Sequence, residues 1–130
     1  MLILTIRTDK PEAEIGLYDG QIQLAYDKWQ AHKELSKTVH TRIRALLHSQ
    51  GKDWSDVGGV VCYKGPGSFT GLRIGFAVAN SLAMNLSVPV VDASGVDWQK
   101  RGGQKLARGL GINIALPDYG RPARITKPKK

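Results

Sequence analysis

The chain has one cysteine, Cys62, and three histidines among its 130 residues, and each scarcity closes off a class of function. A single thiol forms no internal disulfide, so the core must hold the fold, and a reducing compartment is expected. Cys62 lies in the apolar run Val57 to Tyr63 with no cation or helix start placed to activate it, so it reads as a buried small hydrophobe. His32, His40 and His48 fall eight residues apart, which turns each about 80° from the last on a helix. They share no face and offer no metal chelate. Nothing approaches the roughly 20 apolar residues of a membrane span. Met1 to Ile6, with Pro11 and Glu12 soon after, is too short for the apolar core of a signal peptide. A soluble, cytoplasmic chain with no membrane contact is expected.

Catalytic patterns are also missing. No pair of carboxylates shares a motif, no histidine is placed beside Ser68, and the one glycine-rich stretch lacks both the Lys-Ser/Thr ending of a P-loop and the Rossmann spacing. No catalytic residue and no metal ligand can be assigned. Acidic residues run short in one region only. Residues 1–97 hold ten Lys and Arg against ten Asp and Glu, whereas residues 98–130 hold nine against Asp118 alone, so the net +8 sits entirely in the tail. Such a tail can bind RNA phosphates by counterion release, or serve as an extended solubilising or docking segment. Trp98 and Tyr119 are its only aromatics.

What is present follows one order. Met1 to Ile6 reads as a central strand, Thr8 to Pro11 as a turn, and Glu14 to Tyr18 as the start of a second strand. Asp19-Gly20 is a hairpin turn, and the alternation of Ile22, Leu24 and Tyr26 marks a third, half-buried strand. Leu35, Val39, Ile43, Leu46 and Leu47 recur at helical intervals over Lys33 to Gln50, with Gly51 as the stop. Asp53 to Asp56 is a polar loop over Trp54, Gly58 to Tyr63 a flat buried strand, Gly71 to Leu86 a second helix rich in small residues, and Val88 to Val91 a fifth strand. Trp98 to Gly111 has a weak helical pattern diluted by glycines, and Ile112 to Leu116 suits one further edge strand. The sum is an α/β fold: three antiparallel strands, then helix, strand, helix, strand, in a mixed five-stranded sheet.

Between the fourth strand and the second helix stands Gly65-Pro66-Gly67-Ser68-Phe69-Thr70-Gly71-Leu72-Arg73-Ile74-Gly75. Gly65 and Gly67 allow a positive φ and the close approach of another backbone, Pro66 stiffens the bend, and Ser68 or Thr70 can cap the helix. A turn of this kind suits a phosphate or carboxylate.

As a whole string this stretch closely resembles the signature of the TsaB family, also called YeaZ, which serves in making the threonylcarbamoyladenosine of tRNA. His32-Lys33-Glu34-Leu35, Asp53 to Val57, the small-residue helix with Ala77, Ala79, Leu82 and Ala83, and Val88-Pro89-Val90 with Ala93-Ser94 resemble the family's neighbouring segments. Leu116 to Pro122 looks like its last segment. Family members are commonly longer. The chain therefore resembles a first domain (1–97) followed by a short reduced segment (98–116) and a basic extended tail (117–130).

The resemblance implies the ribonuclease H-like half of the actin-like ATPase (ASKHA) fold, and a non-catalytic subunit that pairs with the enzyme TsaD, with a TsaE-like ATPase as a further partner. It implies pairing through the two helices beside the glycine loop, which would place His32, Leu72, Phe76, Ala79 and Ala83 at the interface. Arg73 and the loop backbone would lie close by, next to ATP or ADP held between the subunits. The same small-residue face would let the chain pair with itself when the partner is absent. Where related sequences carry a metal-placing Asp on the first turn, this chain has Arg7, with Asp9 two residues on. No nucleotide or metal is therefore expected to bind it independently. Two other classes stand beside this one: a stand-alone nucleotide-binding protein using the loop, and a tRNA-binding adaptor using the tail.

Overall fold

A computed structural model of the chain describes residues 1–31 and 34–111. His32, the strand expected over Ile112 to Leu116 and the tail from Pro117 lie outside the described residues. The elements run β1 (Leu2–Arg7), β2 (Glu12–Asp19), β3 (Ile22–Gln30), α1 (Leu35–Ser49), β4 (Val57–Tyr63), α2 (Phe69–Leu86), β5 (Val90–Ala93) and α3 (Trp98–Ala107). They build one five-stranded sheet in the order β3-β2-β1-β4-β5. β1, β2 and β3 are antiparallel neighbours, and β4 and β5 join parallel to β1. Parallel neighbours need crossovers, and the helices supply them.

The faces of the sheet are read from alternation. Ile3, Gly59 and Val61 point to α3, because a Cβ at Gly102 would overlap Val61 and one at Gly59 would stand 2.8 Å from Leu106. The two glycines let α3 lie close on the sheet. Glycines that read as diluting a helix are thus what seats it, and Trp98–Ala107 is helical with Trp98 and Leu106 buried. Leu4, Ile6, Val60 and Cys62 alternate with that set, are buried, and belong to the opposite face under α1 and α2. Burial pushes the Cys62 thiol well up from its ordinary pKa, with the Asp92 charge adding to the effect, so the thiol stays protonated and inert at neutral pH.

α1 buries Leu35, Val39, Ile43, Leu46 and Leu47, the stripe its periodicity predicts. β3 departs from expectation: Ile22 and Tyr26 are exposed, and Trp29 is the residue it buries. A register shift between Leu17 and Tyr18 alters the pairing of this edge strand. The indole N–H of Trp29 donates to Thr38 Oγ1 at 3.0 Å and ties β3 to α1.

Candidate functional site

The glycine stretch leaves β4 at Tyr63 and enters α2 at Phe69. Gly65 has φ of 101°, which side chains rarely adopt, and the Gly65–Pro66 peptide is cis. Ser68 is the cap, its hydroxyl accepting from the Gly71 amide at 3.4 Å. Thr70 falls in the first turn of the helix instead.

The backbone that approaches these glycines is the chain's own. A Cβ at Gly67 would lie 2.5 Å from Asp9 Cβ, one at Gly71 would overlap the Thr8 carbonyl oxygen, and one at Gly75 would overlap Thr8 Oγ1. The Thr8 hydroxyl donates to the Gly71 carbonyl at 2.7 Å, and the Ser68 amide donates to the Asp9 carbonyl at 3.2 Å. Thr8 and Asp9 are buried beneath the loop, at 3% and 7% exposure. The turn after β1 therefore packs against the inner side of the loop, while Thr8, Ser68, Thr70 and Gly71 also line an open groove on its outer side.

Arg7 completes the clamp. Its Nε and Nη2 donate to the two carboxylate oxygens of Asp9, at 2.7 and 3.3 Å, and its guanidinium lies 3.9 Å over the Tyr63 ring. Tyr63 donates its hydroxyl proton to the Pro66 carbonyl at 3.1 Å and meets Trp98 edge-on. Burial works against the Arg7 charge, but its hydrogen bond to Asp9 and that carboxylate's charge outweigh it and hold the Arg7 pKa above its ordinary value. Both Asp9 oxygens are engaged by Arg7, and among the described residues no three His, Cys, Asp or Glu side chains group as a metal site.

The residues expected at a partner interface divide differently. Leu72, Phe76, Ala79 and Ala83 are at most 3% exposed and belong to the chain's own core. Their spacing makes one stripe, and the sheet already covers it. All four lie inside this chain rather than on its outer surface. The outward side of α2 carries Arg73, Ala77, Ser81 and the 68% exposed Met84. Arg73 lies 5.6 Å over the half-exposed ring of Phe69. Beside this side runs a largely apolar groove of about 510 Å³ between the starts of α1 and α2, floored by Pro11, Leu35, Gly71 and Ile74, with Lys10 and Glu34 at its rim. Sequence reading missed the groove because it forms from the β1 turn and two helix starts far apart in the chain.

Comparison with known proteins gives this geometry a family. Residues 29–99 match the family model described as TsaD: tRNA N6-adenosine threonylcarbamoyltransferase. The chain is 30% identical over 118 residues to the tRNA threonylcarbamoyladenosine biosynthesis protein TsaB of Escherichia coli (strain K12), covering 82% of this chain and 48% of that one. It is 31% identical over 97 residues to the TsaB of Bacillus subtilis (strain 168), covering 75% and 42%. The chain thus spans about half the length of the curated relatives it matches. YeaZ from Pseudomonas aeruginosa superposes with a TM-score of 0.66 at 24% identity, over 78% of this chain and 50% of that one. The Thermus thermophilus RuvC structure superposes at 0.52 with 14% identity, over 72% and 64%, a likeness of fold alone and the ribonuclease H-like one. By its signature loop, its sheet order and these relatives, the chain belongs to the TsaB (YeaZ) family.

Proposed function

We propose that this chain is a non-catalytic subunit of threonylcarbamoyladenosine formation, which pairs with a TsaD-like enzyme and supports transfer of the threonylcarbamoyl group to N6 of adenosine 37 in tRNA. The observation that carries the reading is the clamp. The loop that would cradle a phosphate is packed on Thr8 and Asp9 of the same chain, and Arg7 occupies both oxygens of the carboxylate nearest it. We read a loop packed on its own chain in this way as a rigid support. The names of the curated relatives support the pathway, and the match to the TsaD family model supports a partner of related fold.

The surface assigned to the partner is the outward side of α2 (Arg73, Ala77, Ser81, Met84) together with Ile74 and the groove beside it. Its apolar floor and small central residue suit close approach of a helix, and Lys10 and Arg73 at its edge would meet the phosphates of an ATP or ADP held between the subunits. With the partner absent, the same side is where a second copy would pack.

A second reading concerns tRNA. Nine cations against one acid over residues 98–130 would add phosphate contacts, and affinity for tRNA would then fall steeply with salt.

Co-expression of the chain with the TsaD-like protein of its source, followed by size exclusion with light scattering, tests the pairing. A one-to-one complex is expected. A chain that stays alone, or pairs only with itself, would return the loop to consideration as a ligand site.

A further inference from the structure

Residues 1–97 balance ten cations against ten acids, and residues 98–108 then bring Lys100, Arg101, Lys105 and Arg108 with no acid at all. Half of the chain's net +8 therefore sits on α3 and on Arg108, the residue that caps its end.

Packing fixes where those charges point. The buried positions of α3 are Trp98, Gly102, Gly103 and Leu106. At about 100° per residue they share one side of the helix, and Lys100, Arg101, Gln104 and Arg108, all exposed, fall on the other. Gly102 lets the helix lie directly on Val61, so the outward stripe is held close over β4 and β5. Lys100 and Arg108 stand eight residues apart, about 12 Å along the axis.

The acids within reach are already engaged. Asp97 holds Arg101 at 2.7 Å, and Asp92 stands 3.6 Å from Lys105 at the rim of the stripe. Lys100 and Arg108 enter no ion pair among the described residues. Lys100 also lies in the first turn of α3, where the helix dipole disfavours a cation and no acid offsets it. Fold stability gives no reason for a lysine there. No aromatic ring faces outward beside these charges, for Trp98 is buried edge-on against Tyr63. The stripe thus suits the phosphates of a nucleic acid and has no platform for stacking its bases.

We propose that the outward side of α3, with Lys100, Arg101, Gln104 and Arg108, is a contact surface for the phosphate backbone of tRNA. The inference rests on the tRNA reading given above and places it on a seated helix. Because α3 covers the face of the sheet opposite α1 and α2, the chain can hold tRNA on one face while a partner occupies the outward side of α2 on the other.

Fluorescence anisotropy of a labelled tRNA transcript, titrated with the full chain over a range of salt concentrations, tests it. In Lys100→Gln/Arg108→Gln the affinity is expected to fall about tenfold near physiological salt, and the slope of log K against log salt to shrink by about 2, one for each cation removed. Arg44→Gln/Lys52→Gln makes the same change in charge at two exposed cations that also lack an ion pair among the described residues but lie away from α3. Its affinity should stay within about twofold of wild type, and both double variants should melt within about 2 °C of it. Wild-type affinity in the α3 variant, or an equal loss in both variants, would overturn the α3 surface while leaving the chain a tRNA binder. A wild-type chain with no salt-dependent affinity for the transcript would overturn the tRNA reading itself, and this surface with it.

Discussion

Gly71→Ala is expected to destabilise the chain by about 2–3 kcal/mol, lowering its melting temperature by roughly 10 °C, although alanine is the better helix former by about 1 kcal/mol. The added methyl would overlap the Thr8 carbonyl oxygen, so the first turn of α2 must withdraw. Withdrawal breaks the Thr8 hydroxyl bond to the Gly71 carbonyl and the Ser68 amide bond to the Asp9 carbonyl, each worth about 1 kcal/mol. Ser81→Ala, on the exposed side of the same helix, should stay within about 0.5 kcal/mol. Gly75→Ala sharpens the test. Its methyl meets Thr8 Oγ1, a side-chain atom, so Thr8→Ala should recover about 1–2 kcal/mol of its cost while leaving the Gly71→Ala defect in place. A Gly71→Ala chain as stable as wild type would show that the loop is not clamped on the β1 turn. Thermal unfolding followed by circular dichroism reads the single and double variants alike.

The second large effect separates two alanines two positions apart on α2. Ala79 is fully buried, so Ala79→Glu places a carboxylate in an apolar core at a cost of several kcal/mol, and the chain is expected to lose its cooperative unfolding transition. Ala77 is exposed, so Ala77→Glu should melt within about 2 °C of wild type yet abolish co-purification with the TsaD-like partner. Loss of pairing in Ala79→Glu would report only unfolding. An Ala77→Glu chain that still pairs would move the partner surface off this side of α2, and a folded Ala79→Glu chain would contradict the placing of Ala79 in the core.

The contrast between these residues shows what sequence can and cannot carry here. In α1 the exposed positions are polar apart from Ala45, so Leu35, Val39, Ile43, Leu46 and Leu47 stand out as the buried stripe. In α2 apolar and small residues lie all round the helix. Periodicity therefore groups Leu72, Phe76, Ala79 and Ala83 on one face without saying whether that face meets the sheet or a partner. The sheet order was legible, because an Asp-Gly hairpin and two helical crossovers leave few alternatives. Helix α3 was only half legible, since Gly102 and Gly103 lower helical propensity and only the proximity of Val61 shows why Gly102 is there. The signature loop could be placed from sequence as a strand-to-helix turn. Its occupant could not, for Thr8 and Asp9 are distant in sequence and read simply as turn residues.

Arg7 joins the sequence-level departure to its structural meaning. A cation at that position removes a carboxylate suited to magnesium, and the structure shows the cation bound to Asp9 and stacked on Tyr63, fixing the turn that packs against the loop. The loop is thereby packed on the chain's own turn, and the groove and the outward side of α2 are the surface we propose for a partner.

The most direct test of that account is a reconstituted transfer reaction, in which tRNA and the threonylcarbamoyl adenylate are incubated with the TsaD-like protein, with this chain, or with both, and the modified nucleoside is measured. The account predicts no product from this chain alone. It predicts a rise of at least about tenfold when the chain is added to the partner, equivalent to about 1.4 kcal/mol in the barrier, and no rise with Ala77→Glu. Product formed by this chain alone, or a partner whose rate is the same with and without it, would contradict the account.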